Sequence, residues 1–196
     1  MKSFRPISSM KLWDVTELAQ SAAESSPDID LREVAQNARF SVQYLLGGAG
    51  HVLVEHFAAP VKGGTYTEGA SDVVEIEGGG AQVASVSRAV ASNVATIETA
   101  AAHNLAAGEF AVVRDMEDSS YNGIHKVVGA PDATHFTFAL THADEVEIAD
   151  DGGRVVEVKC GSAAFTPVAA MPWLKVTVTE QGDGSIDYLS IWLNIQ

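Results

Sequence analysis

The chain has 196 residues, 46% of them hydrophobic and 19% charged, enough for one sizeable core or two small ones. Its 26 acidic and 12 basic residues give a formal net charge of −14, a surface that repels phosphate backbones and argues against nucleic-acid partners. No apolar run approaches the roughly 20 residues of a membrane helix, so no membrane partner is expected.

Met1–Met10 carries Lys2 and Arg5 but no apolar segment after them, so no signal peptide is expected. Phe4, Ile7 and Met10 make this stretch too apolar for a purely solvated tail, and it reads as an arm that docks on a neighbour. Lys11–Val15 reads as a strand. Glu17–Glu24 reads as two helical turns capped by Thr16 and stopped by Ser25, Ser26 and Pro27. Arg39–Leu46 alternates, with Phe40, Val42, Tyr44 and Leu46 on one face. Gly47-Gly48-Ala49-Gly50 breaks that run and His51–Phe57 resumes it, which predicts a hairpin with a glycine-rich turn.

The middle of the chain has its own texture. Gly78-Gly79-Gly80 reads as a flexible lead-in. Short strands are predicted at Ala95–Ala100, Glu109–Arg114, Gly123–Val128, His135–Leu140 and Arg154–Val158. They are separated by turn chemistry at His103-Asn104, Asp118–Asn122, Pro131-Asp132 and Asp150–Gly153. Such spacing suggests a small β-barrel, with Cys160-Gly161-Ser162 as its exit. Trp173–Thr179 then alternates with Leu174, Val176 and Val178 inward. After the turn Gln181–Gly184, Asp187–Ile195 places Leu189, Ile191, Leu193 and Ile195 inward, which predicts a second hairpin. The expected fold class is all-β: a β-sandwich from residues 1–74 and 160–196, interrupted by an inserted small β-barrel at residues 75–159.

The outer pieces resemble a family of small bacteriophage structural proteins. The likeness is carried by Ile29-Asp30-Leu31, Phe40-Ser41-Val42-Gln43, Glu55-His56-Phe57, Gly64-Thr65-Tyr66 and Glu68-Gly69-Ala70-Ser71. It continues through Phe165-Thr166-Pro167, Met171-Pro172-Trp173-Leu174-Lys175-Val176, Thr179-Glu180 and Trp192-Leu193-Asn194-Ile195-Gln196. In that family a short Gly/Ser-rich loop joins Gly-Ala-Ser to Phe-x-Pro; here the inserted segment replaces it. The insert is similar to a module of phage tail, baseplate and fibre proteins at Ala95–Thr99, Ala102–Leu105, Ala107-Gly108-Glu109, Tyr121-Asn122-Gly123 and Thr134–Phe138. The resemblance implies a virion component made in the host cytoplasm, with major capsid or tail subunits as partners and self-association into a homo-oligomer. Capsid decoration is the first reading. A tail, collar or baseplate position is the second, and a surface glycan-binding module the third.

Catalytic chemistry finds no footing in the sequence. There is no Gly-x-Ser-x-Gly elbow and no Walker loop, so no enzyme activity and no cofactor are expected. His51 and His56 lie five apart on one strand and face opposite sides. His135 and His142 flank a strand without an evident third ligand, so no metal site is expected. His103 is expected to hydrogen-bond its own turn. Asp144, Glu145, Glu147, Asp150 and Asp151 lack calcium-loop spacing and read as a solvated loop. Cys160, the one cysteine, excludes an internal disulfide and reads as a buried, inert thiol. By alternation, Trp173, Tyr188 and Trp192 face outward, and the second hairpin would bring the two tryptophans together. These three, with Phe4 and Ile7, are the candidate interface residues.

Overall fold

The computed structural model describes residues 8–34, 38–68, 74–150, 152–166 and 171–195. The strands in chain order are β1 (Ser8–Leu18), β2 (Ala23–Ser25), β3 (Ile29–Asp30), β4 (Phe40–Gly48), β5 (His51–Ala59), β6 (Thr67–Glu68), β7 (Val74–Glu77) and β8 (Val83–Ala91). They continue with β9 (Val94–Thr99), β10 (Phe110–Arg114), β11 (Gly123–Gly129), β12 (His135–Ala139), β13 (Glu145–Ala149), β14 (Arg154–Phe165), β15 (Trp173–Glu180) and β16 (Ile186–Ile195). One 3₁₀ turn, Ser119–Tyr121, is the only helical element among the described residues. The protein is all-β. The predicted helix at Glu17–Glu24 is instead the end of β1, a turn with Ser21 at φ +59°, and β2. Ladder pairing of Thr177, Val178 and Thr179 with Ser25, Glu24 and Ala23 overrides the local helix preference.

Two compact units are present: residues 1–46, 50–77 and 160–196, and residues 47–49 with 78–159. The first is a sandwich. One sheet runs β1-β16-β4; the other runs β2-β15-β5-β6, with β3 also on β15 and β7 also on β5. Its core is Phe40, Val42 and Leu46 from β4, Leu189, Ile191 and Leu193 from β16, Val52 and Val54 from β5, and Leu174, Val176 and Val178 from β15. Those of β4, β15 and β16 are residues that alternation places inward, while Tyr44 and Ile195, also placed inward, are only partly buried; full burial of each core residue contributes about 1.5–3 kcal/mol.

The two predicted hairpins are not hairpins. Among the described pairings β4 joins β16 and β14, whereas β5 joins β15, β6 and β7. Likewise β15 and β16 belong to opposite sheets. Each glycine-rich turn carries the chain from one sheet to the other. Apolar alternation marks the face that meets the core, and that face is the same whether the next strand lies beside it or across from it.

In the second unit the ladder runs β14-β10-β11-β12-β9-β8, and β8 pairs back onto β14 through Val83↔Val155 and Ala84↔Arg154, so the pairing closes on itself. The core holds Ile97, Val113, Tyr121, Val127, Phe136, Phe138 and Val155. Strand β8, absent from the sequence reading, joins β9 through Ser92-Asn93, both at positive φ, the geometry of a two-residue hairpin. Gly78–Gly80 is no flexible lead-in. Gly80 N–H donates to the Gly48 carbonyl at 3.0 Å. A Cβ on Gly79 would sit 2.4 Å from the Glu157 carbonyl oxygen. Glycine is needed there for close backbone approach.

Candidate assembly surface

The acidic stretch predicted as a solvated loop is strand β13, paired with β8. Glu145 and Glu147 bond to the protein's own groups, Glu145 half-buried and Glu147 exposed. Glu145 Oε2 accepts the Tyr121 hydroxyl at 2.7 Å and lies 3.5 Å from Arg88 Nε. Glu147 accepts from Ser87 Oγ at 3.0 Å. Asp150, just past the strand, is buried and takes Arg88 Nη1 at 2.5 Å and the Glu117 N–H at 3.2 Å. Arg88 is itself only 6% exposed, and its guanidinium lies 5.5 Å from the Tyr121 ring centre. Burial pushes the Tyr121 hydroxyl far above its ordinary pKa, reinforced by the Glu145 hydrogen bond. The network is not legible in the sequence, because Arg88 sits on β8, whose apolar alternation is broken. Asp151 lies outside the described residues.

With its carboxylates so engaged, β13 presents apolar groups to solvent. Val146 is 83% exposed and Ile148 is also exposed. Strand β11 shows the same habit at Ile124 and Val128, and β1 at Met10. β-Branched side chains on outward strand positions are apolar surface available to a partner.

The predicted aromatic pair is not formed, because Trp173 and Trp192 lie on strands of opposite sheets. Trp173 is 9% exposed and is covered by cations: the Arg32 guanidinium is 5.0 Å and Lys62 Nζ 5.6 Å from its ring centre. Asp30 fixes Arg32 through Oδ1 and Oδ2, at 2.9 Å to Nε and 2.5 Å to Nη2. That guanidinium holds the Asp30 carboxyl at about 2, below the usual range. Tyr188 is buried as well, so its predicted outward exposure does not hold. Trp192 alone of the three is half-buried, with Lys11 Nζ 5.5 Å from its ring centre and Lys11 opposite it in the β1–β16 ladder. Phe4 and Ile7 lie outside the described residues.

The histidines serve local structure. His103 Nδ1 accepts the Leu105 N–H at 2.9 Å, the bond to its own turn that the sequence suggests. His56 packs on Phe165 at 4.6 Å. His125 stacks on Phe138 at 3.9 Å, and its burial lowers its pKa. His135 pairs with Asp132 at 2.9 Å, and His142 with Asp118 at 3.2 Å. Among the described residues, no group of three or more His, Cys, Asp or Glu is placed to hold a metal ion. Cys160 is exposed rather than buried, because the consecutive buried residues of β14 end at Val158 and Lys159 and Cys160 both face solvent.

No protein-family model matches the chain, and no curated protein matches it. Among solved structures it is similar to the structure of infectious bursal disease virus Gx strain, with a TM-score of 0.26 and 8% identity over 97% of this chain. The chain spans 41% of that protein's length. A likeness this distant carries no argument about fold or function.

Proposed function

We propose that this chain is a non-enzymatic structural protein of a bacteriophage virion, a decoration or cement subunit that works by burying surface against capsid subunits and copies of itself. The reading starts from the resemblance in the sequence. The observation that carries it is the inverted edge strand β13. A solvated edge strand keeps charge outward and apolar groups inward. Here Glu145 and Glu147 bond to the protein's own Tyr121 and Ser87, and Val146 points out at 83% exposure. Burying that strand against a partner removes apolar area from water while its carboxylates keep hydrogen bonds to Tyr121 and Ser87. In this reading residues 75–159 form a β-barrel module inserted in the sandwich, and the module presents the docking strand.

The test is addition of purified protein to particles that lack it. Val146→Asp should fold normally yet occupy particles at least about tenfold less, the scale of one lost interface anchor. Equal occupancy by mutant and parent would contradict the role given to β13.

A further inference from the structure

His51, the first residue of β5, has carboxylates at both ring nitrogens. Nδ1 meets Asp183 Oδ2 in the loop between β15 and β16, and Nε2 lies 3.2 Å from Glu75 Oε1 on β7. The second Asp183 oxygen accepts the His51 backbone N–H at 3.1 Å, and the His51 carbonyl accepts the Gln181 N–H at 3.1 Å. The remaining charged neighbours are also acidic: Glu77 stands opposite His51 in the β5–β7 ladder, and Glu180 ends β15. A neutral imidazole has one N–H and one lone pair, so it can satisfy one carboxylate and must turn a lone pair toward the other. The imidazolium donates to Asp183 and attracts Glu75 as an ion pair at 3.2 Å. The carboxylates on both sides of the ring favour its charged form.

We propose that His51 is a pH-operated clasp that, when protonated, ties β7 and the β15–β16 loop to the start of β5, and that releases its Glu75 arm on losing a proton. The Asp183 arm survives because Asp183 also accepts the His51 backbone N–H. The Glu75 arm has no such second bond to His51. Strand β7 ends at Glu77, one residue before the chain passes into the second unit at Gly78, so the clasp grips the strand that leads out of the sandwich. The Asp183 hydrogen bond raises the His51 pKa above 6.5, against the pull of burial and with help from Glu75 and Glu180. The clasp is therefore closed below pH 6.5 and opens as pH rises through the raised value.

The test uses the full chain. The His51 ring is titrated by NMR in the parent, in Glu75→Gln and in Asp183→Asn, and amide exchange in β7 is followed from about pH 6 to about pH 8.5. In the parent, His51 should titrate above 6.5, and β7 protection, corrected for intrinsic exchange, should fall several-fold across that range. Glu75→Gln keeps the imidazole yet should abolish the pH dependence, as should His51→Gln. A His51 midpoint at or below its ordinary value overturns the proposal. So does β7 protection that changes with pH equally in the parent and in Glu75→Gln.

Discussion

Asp150 and Glu180 are buried carboxylates that the protein satisfies in different ways. Asp150 makes the shortest of the Arg88 ion pairs, and its loss leaves the buried guanidinium with Glu145 at 3.5 Å and Glu117 at 3.9 Å. Asp150→Ala should cost about 1.5–3 kcal/mol, the scale of a lost hydrogen bond to a charged group, read from the urea midpoint; a loss below about 0.5 kcal/mol would contradict the pairing. Glu180 instead collects backbone donors: Ser21 N–H at 2.5 Å, Gly182 N–H at 2.8 Å, and Asp183 and Gly184 N–H at 3.2 Å. It organises the turn that passes the chain between sheets, and Gly50 is required beside it, since a Cβ there would lie 2.7 Å from Glu180 Oε1. The Asp132–His135 pair gives a prediction in pH. The Asp132 hydrogen bond raises the His135 pKa above 6.5, against a lesser pull from burial. The stabilisation is therefore complete below pH 6.5 and is lost as pH rises through the raised value. The melting temperature of the parent should exceed that of His135→Asn at about pH 5.5 and converge with it by about pH 8.5. A difference independent of pH would show that the pair does not act through charge. His103 was legible from sequence, because a histidine before Asn-Leu has a turn N–H within reach. The Arg88 network was not, because its partners are as far as 62 residues apart in the chain.

At the scale of elements, the sequence marks which face of each strand is buried far better than which strand is its neighbour. Val42, Leu46, Leu174, Val176 and Leu193 are all inward, as alternation predicts. The expected pairing of β4 with β5 and of β15 with β16 fails because a short glycine-rich turn suits both a hairpin and a crossing between sheets. The β4–β5 crossing carries a close approach at Gly47, which alternation does not encode. A Cβ on Gly47 would lie 2.9 Å from Val156 Cγ2 and 3.0 Å from the Glu157 carbonyl. Gly79→Ala should destabilise the protein by about 1–3 kcal/mol, because its obstacle is backbone that cannot rotate away. Gly63→Ala is a control for glycine loss without crowding, since nothing stands within 4 Å of that position, although its φ of +66° adds some strain. If Gly79→Ala costs no more than Gly63→Ala, the close approach is not what fixes the glycine. Strand β8 escaped notice because its hairpin turns at Ser92-Asn93 without glycine, and because Ser85, Ser87 and Arg88 break its apolar pattern with residues the fold buries.

At the scale of the whole molecule, the chain forms a sandwich with an ordinary apolar core and a second unit whose strands β11 and β13 carry exposed valine and isoleucine. In the proposed role, a net charge of −14 keeps such a protein soluble before assembly. Trp192, half-buried beside Lys11, is the aromatic candidate from the sequence that retains surface to offer among the described residues. Trp192→Ser should leave the thermal transition nearly unchanged and weaken association, measured by analytical ultracentrifugation. A large loss of stability with association intact would place that ring in the fold instead. The proposed virion role is tested most directly by purifying particles from cells that produce this chain, quantifying the chain in them, and locating it in their imaged density. The account predicts a fixed stoichiometry to the capsid subunit, with β13 against a neighbour. Particles that are complete and infectious without any copy of the chain, while the free protein accumulates in the host, would contradict it.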